Sequence, residues 1–283
     1  MREHFENLKY LYGREANVRI PNSIFKTLSG MNKDENNNVN AQQIAFSYAY
    51  ILTVSFLYKY CHFVDVENHT YVQNGDIKSI LGYSRKTKSV DKLIKKGGLL
   101  DQLQITNTIK NYPVRSYSRE DEKINGVSLL EFVCIDDSAN DINYNSYRSL
   151  VKNRNYEVKE PLFMTTDAYG ENDYGTLYSF ENTHSINIHE FLSIVFSDDL
   201  DNTDLMLYCY IKSKCKGYKN NLRAITLYKI LLETGISNRT FYCHLKKLKK
   251  KKYISVNHSG WVANRGGNTD HQMSPNEYIW RGI

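Results

Sequence analysis

Leu81-Gly82-Tyr83-Ser84-Arg85-Lys86-Thr87 and Thr234-Gly235-Ile236-Ser237-Asn238-Arg239-Thr240 align without a gap, sharing the glycine, the serine, a basic residue and the threonine. In each segment a glycine able to take positive φ ends one helix and a serine stands where it can cap the next. The two segments lie about 150 residues apart, so the same local device is written twice in one chain.

Working outward, the element order also repeats. In the first copy residues 18–25 are a short apolar segment and the Asn-rich stretch 32–40 is a loop too polar to pack. A helix follows over 41–59, with Ile44, Tyr48, Ile51, Leu52, Ser55 and Phe56 at helical spacing. Asn74 is placed to cap a short helix stopped at Gly82, and Ser84 to cap a helix reaching Lys96 and ended by Gly97-Gly98. Val90, Leu93, Ile94 and Gly97 share one face of that helix; residues 99–109 and 127–136 read as strands joined by a polar loop with Lys110, Arg115, Arg119 and Lys123.

The second copy opens with the apolar segment 186–192 and a helix over 203–214 capped by Asn202 or Thr203. Residues 226–234 form a short helix stopped at Gly235, and 239–251 the next, with Phe241, Leu245 and Leu248 on its buried side. Segments 253–256, 260–263 and 277–280 read as short strands around an Arg265-Gly266-Gly267 loop. Helix, helix, turn, helix and hairpin is the order of a winged helix. The expectation is therefore a helix-rich α+β chain with two winged-helix domains in tandem, 1–137 and 185–283, joined by an acidic, polar connecting segment over 138–184.

The charge pattern points the same way. The chain carries 37 Lys+Arg against 31 Asp+Glu, a net +6 that says little by itself. Residues 206–255 hold 13 Lys/Arg and one acid, Glu233, whereas 160–205 hold 10 acids and no Lys or Arg. The total is a small difference between two large opposing blocks. The acidic block reads as a solvated linker, with a partner surface or a shield over the basic half as the alternatives.

On a helical wheel centred on Phe241, Leu245 and Leu248, the opposite face holds Arg239, Cys243, Lys246 and Lys250; in the first copy the corresponding face is Arg85, Lys88, Lys92 and Lys95. A helix that reads DNA needs donors outward for base edges and cations beside them for phosphates. Asn238 and Tyr242 flank the second face, as a base-edge and a phosphate contact, and Arg265 in the hairpin loop completes the set of candidate DNA contacts. Lys212, Lys214, Lys216, Lys219 and Arg223 are expected to extend the positive surface.

Other functions lack their signatures. No G-x-x-x-x-G-K-[ST], G-x-G-x-x-G or G-x-S-x-G occurs, nor H-E-x-x-H or His-x-His, and the expectation is binding without catalysis, cofactor or metal. Cys61, His62 and His69 are near in sequence but lack a further ligand. Five cysteines without a C-x-x-C pair fit a reducing cytoplasm. The uncharged stretch 44–58 is 15 residues, short of the roughly 20 a membrane helix needs, so it is expected as a core helix.

Two winged helices in a chain of this size resemble the tandem winged-helix replication initiators of theta-replicating plasmids and related mobile elements. The resemblance spans about 18–135 and 186–280 and is one of architecture; Gly235-Ile236-Ser237-Asn238-Arg239-Thr240 is a pattern that many transcription regulators share. It implies a protein that binds repeated sites in double-stranded DNA, melts an adjacent AT-rich stretch and recruits host replication proteins, with one domain serving also in homodimer formation. Arg239, Cys243 and Lys246 would then face bases, and Arg85, Lys88 and Lys92 would face bases or backbone. The missing His-x-His departs from rolling-circle initiators, so nicking is not implied. A winged-helix transcriptional regulator, also cytoplasmic, is the nearest alternative, and a protein-interaction adaptor without DNA affinity the third.

Overall fold

A computed structural model describes residues 2–12, 16–32, 38–124, 127–136, 144–151, 155–164, 182–258 and 275–283. In chain order, the first half contains α1 (Arg2–Tyr12), β1 (Asn17–Pro21), α2 (Ile24–Gly30), α3 (Ala41–Lys59), β2 (Val64–Asp65), β3 (Thr70–Tyr71) and α4 (Asn74–Ile80). Then follow α5 (Asp91–Ile94), α6 (Leu99–Gln102), β4 (Thr106–Ile109), β5 (Pro113–Ile124), β6 (Val127–Cys134), α7 (Tyr144–Leu150) and β7 (Val158–Pro161). The second half is β8 (Thr183–Asn187), α8 (Ile188–Val195), α9 (Asn202–Cys215), β9 (Leu222–Ala224), α10 (Leu227–Thr234), α11 (Asn238–Lys250), β10 (Ile254–Asn257) and β11 (Glu277–Trp280). The fold is α+β, with helices around small antiparallel sheets.

The helix expected over 41–59 is present with those bounds and lies at the centre. Every side chain from Gln43 to Tyr58 is buried, as a helix apolar all round requires. Its three hydroxyl residues satisfy themselves locally: Ser47, Thr53 and Ser55 donate to the carbonyls four residues back at 2.9, 2.8 and 2.7 Å. Asn40 and Gln43 close a capping box at its start. Among the described residues no helix is long and apolar enough to cross a membrane.

The first and second halves of the chain pack on each other. β1 pairs antiparallel with β8, Arg19 opposite Ser185 at the middle, and α3 packs on α9. At one end Asn202, in the first turn of α9, donates to the Leu81 carbonyl beside Gly82 (2.9 Å); at the other, Gly235 lies against Ile44 in the first turn of α3. One buried apolar cluster runs through both halves, from Val18 and Phe46 to Phe191, Tyr208 and Phe241. In the segment 138–184, α7 and β7 are described, and β7 completes a ladder with β4 of the first half; 138–143, 152–154 and 165–181 lie outside the described residues.

Gly235 is the αL C-cap of α10 at φ +69°, and a Cβ there would stand 2.9 Å from Ile44 Cδ1 and 3.3 Å from Ser29 Cβ. Gly235→Ala is therefore expected to destabilise by about 2 kcal/mol, combining the αL penalty with the crowding. A urea midpoint equal to that of the parent chain would count against it.

The first copy departs from its expected course after the turn. The helix expected from Ser84 to Lys96 is not formed: residues 84–90 run through successive turns and only Asp91–Ile94 is helical. The carbonyls that would carry the helix are occupied from elsewhere, Thr87 O by Lys78 Nζ (2.8 Å) and Ser89 O by Gln43 Nε2 (2.8 Å), while Lys78 also pairs with Asp91. Val90, Leu93 and Ile94 are nonetheless buried as expected. The strand expected over 99–109 is helix α6 followed by β4, and the expected polar loop is strand β5, which pairs with β6. β4 instead pairs with β7, held by Lys159, whose ammonium lies 2.6 Å from both Asp101 oxygens and 2.7 Å from the Thr108 hydroxyl.

Buried histidines fasten the assembly. His4 and His62 stack at 4.0 Å and each donates Nε2–H to the other's carbonyl, at 2.7 and 3.0 Å, tying α1 to the segment between α3 and β2. Between the halves, the Tyr48 hydroxyl donates to His184 Nε2 (2.6 Å) and His184 Nδ1–H to Asn22 Oδ1 (2.8 Å). Burial, followed by the neighbouring imidazole of His62, lowers the His4 pKa to about 4; burial, then Lys212 and Lys214, lowers His184 to about 3. A lowered histidine pKa means the unfolded chain binds more protons, so stability is full above the ordinary value of 6.5 and falls as pH drops below it. Each of the two is expected to cost about 2 kcal/mol between pH 6.5 and 5. Urea unfolding at pH 7 and pH 5 checks this, and equal unfolding free energies would contradict it.

Candidate nucleic-acid interface

Within the second half, α10 and α11 are separated by Gly235-Ile236-Ser237. Thr226 caps α10 through Lys229 N (3.3 Å), and Ser237 caps α11 through Thr240 N (3.2 Å). The cap of α9 is Asp201 rather than Asn202 or Thr203; its carboxylate takes Thr203 N at 2.8 Å in a capping box with Asp204. Behind the helices, β10, β11 and β9 form an antiparallel sheet in that order, and the strand expected at 260–263 lies outside the described residues.

α11 is divided lengthwise into an apolar and a cationic side. Phe241, Leu245 and Leu248 are buried, Phe241 edge-on to Tyr278 of β11. Asn238, Arg239, Tyr242, Cys243, Lys246, Lys249 and Lys250 are exposed. Among the described residues no carboxylate lies within ion-pair distance of Arg239, Lys246, Lys249 or Lys250. The flank toward α9 is different. His244 Nδ1 lies 2.9 Å from Asp204, Lys247 lies 3.2 Å from Asp204 and 3.4 Å from Asp201, and Lys251 lies 3.2 Å from Asp199. Partial burial works against the Lys247 charge, but Asp204 and Asp201 outweigh it and raise its pKa. Three acids of the block expected as linker thus anchor one side of the helix and leave the other side cationic.

The first copy brings its candidates together differently. Arg85, Lys88, Lys92 and Lys95 do not share a helical face, because only Lys92 lies in a helix. Arg85 pairs with Asp76 at 2.5 Å, and Lys92 donates to the Asn38 carbonyl at 2.7 Å; Lys88 and Lys95 are exposed. Nor do all the flanking lysines extend the surface. Lys212 is buried on Glu190 at 2.6 Å and Lys214 pairs with Glu233 at 2.7 Å, whereas Lys216 and Lys219 are exposed. Arg223 stacks on Tyr218, 4.6 Å from the ring centroid. Arg265 lies outside the described residues.

No protein-family model, curated protein or solved structure matches the chain.

In the sequence His62 lies near Cys61 and His69. In the structure His62 meets His4 and Asp65, and Asp201, Asp204 and His244 form a second cluster; in each, three potential ligand atoms lie within 4.8 Å of one another. The atoms are already committed, the imidazoles to backbone carbonyls in the first and the carboxylates to Lys247 and backbone amides in the second. His69 is exposed and apart from them. His4 was not legible as a partner because 58 residues separate it from His62.

Proposed function

We propose that the chain binds double-stranded DNA, with α11 laid in the major groove and its exposed face turned to the bases and phosphates. The observation that carries this reading is the division of α11: Asp199, Asp201 and Asp204 hold Lys251, Lys247 and His244, while Arg239, Lys246, Lys249 and Lys250 remain on the open side. A helix near 10–12 Å in diameter fits a groove about 12 Å wide. The order α9, β9, α10, turn, α11, β10, β11 supports reading the second half as a winged helix. In the first half α3, α4, α5 and the β4–β7 ladder follow a similar order, with β5, β6 and α7 inserted between the ladder strands. A tandem winged-helix arrangement makes a replication initiator of a plasmid or phage the reading we favour, acting without catalysis in the cytoplasm.

Two assays test the reading. Fluorescence anisotropy with duplexes from the flanks of the gene should give binding that prefers particular flanking repeats over scrambled duplexes; equal affinity for both, or none, would overturn sequence-specific binding. Supplying the protein in trans to a plasmid carrying those flanks should sustain its replication. Specific binding without replication would identify a transcriptional regulator instead, and an adaptor would show no DNA affinity at any salt concentration.

A further inference from the structure

His4 in α1 and His62 and Asp65 after α3 meet with all three side chains buried. His4 Nδ1 and His62 Nε2 stand 3.8 and 3.9 Å from the same oxygen, Asp65 Oδ2. Ligand atoms held roughly 2.0–2.1 Å from a tetrahedral zinc ion lie about 3.3–3.4 Å apart, so each imidazole has only about 0.5 Å to close. The groups around them are arranged as the supports of a metal site are. His4 donates Nε2–H to the His62 carbonyl at 2.7 Å, which leaves the lone pair on Nδ1, the atom nearer Asp65. Asn68 holds the carboxylate through its backbone N–H at 3.0 Å and its side-chain amide at 2.8 Å. His62 is fixed in turn by its own backbone N–H, which donates to the Leu57 carbonyl at 2.7 Å, with Cys61 before it at φ +52°.

The cluster carries a negative charge. Asp65 is 8% exposed, and among the described residues the basic groups within 4.0 Å of it are these two imidazoles, which burial keeps neutral at pH 7. A buried carboxylate beside two imidazole nitrogens is a setting that a cation stabilises. We propose that His4, His62 and Asp65 bind a transition-metal dication of the zinc class, which fastens α1 to the segment between α3 and β2. A cavity of about 540 Å³ includes His62 and Asp65 in its wall, so water can reach the site and supply a further ligand. Two hydrogen bonds are exchanged on binding. His62 carries its proton on Nδ1 and releases the His4 carbonyl, now at 3.0 Å, and the exposed Thr70 hydroxyl turns from His4 Nδ1, now at 3.3 Å, to solvent. The cluster of Asp201, Asp204 and His244 offers no comparable site, because the Lys247 ammonium already neutralises its carboxylates. The proposed site uses no residue of α11 and stands whether or not the chain binds DNA.

The test is titration of the untagged full chain with cobalt(II), followed by zinc. One equivalent of cobalt should bind with the visible d–d bands of a nitrogen and oxygen site and without the near-ultraviolet band of a cobalt–thiolate bond, and zinc should displace it. His4→Gln and Asp65→Asn should each weaken zinc affinity, measured by competition, about tenfold or more, while His244→Ala leaves it unchanged. Zinc should also raise the thermal midpoint of the unmodified chain where magnesium does not, a readout independent of how the variants fold. Absence of cobalt binding, a thiolate band, a thermal midpoint indifferent to zinc, unchanged affinity in His4→Gln or Asp65→Asn, or loss in His244→Ala would each overturn the proposal.

Discussion

Glu190→Ala is expected to lower the unfolding free energy by about 3–5 kcal/mol, the cost of leaving a buried charge without its partner. The Lys212 and Glu190 side chains are 3% and 8% exposed, with ammonium and carboxylate 2.6 Å apart. Removing the carboxylate strands the ammonium at the junction of α8 and α9 and takes an acceptor from Tyr208. Glu190 also closes the α8 capping box by accepting from Asn187 N at 2.9 Å, so the start of the helix loosens as well. Adding Lys212→Met should recover a large part of the loss, because an apolar pair of similar volume carries no uncompensated charge. Urea unfolding of the single and double variants checks both statements. A loss below about 1 kcal/mol for Glu190→Ala would mean that water reaches the pair.

The second large effect is on DNA. Arg239→Ala combined with Lys246→Ala should weaken duplex affinity by about 100-fold or more, since an arginine on a base edge contributes about 1–3 kcal/mol and a lysine on a phosphate adds to it. Both side chains are exposed and without ion pairs among the described residues, so the folded chain should lose little stability. Lys247→Ala is the contrasting variant: its ammonium is held by Asp201 and Asp204, and its loss should alter the packing of α11 on α9 more than the DNA contact. Anisotropy titration paired with thermal melting separates the two. Equal affinity losses for Lys246→Ala and Lys247→Ala would contradict the division of the helix into two sides.

How far these elements were legible depended on where their partners lie. α11 was readable because Phe241, Leu245 and Leu248 repeat at helical spacing, the cations fall opposite them, and the cap at Ser237 is three residues from the amide it binds. The first copy carries the same glycine and serine, yet its helix is lost to Lys78 and Gln43, which take the Thr87 and Ser89 carbonyls; Gln43 is 46 residues from Ser89. Local sequence has no means of announcing such a competitor. Charge counts misled for a related reason. Lys212 and Lys214 were counted with the basic surface, but each folds onto a carboxylate, Glu190 and Glu233, and the acids at 199, 201 and 204 close on α11 across more than 40 residues. The opposing blocks are thus in part each other's partners, and the open face of α11 is what remains.

The salt dependence of duplex binding tests that remaining face most directly. With the four exposed cations of α11 on phosphates or beside them, log K against log salt should fall with a slope of about −3 to −4, and the Arg239→Ala plus Lys246→Ala variant should flatten it by about 1–2. A flat response in the unmodified chain, or the same slope in both proteins, would contradict DNA binding through α11.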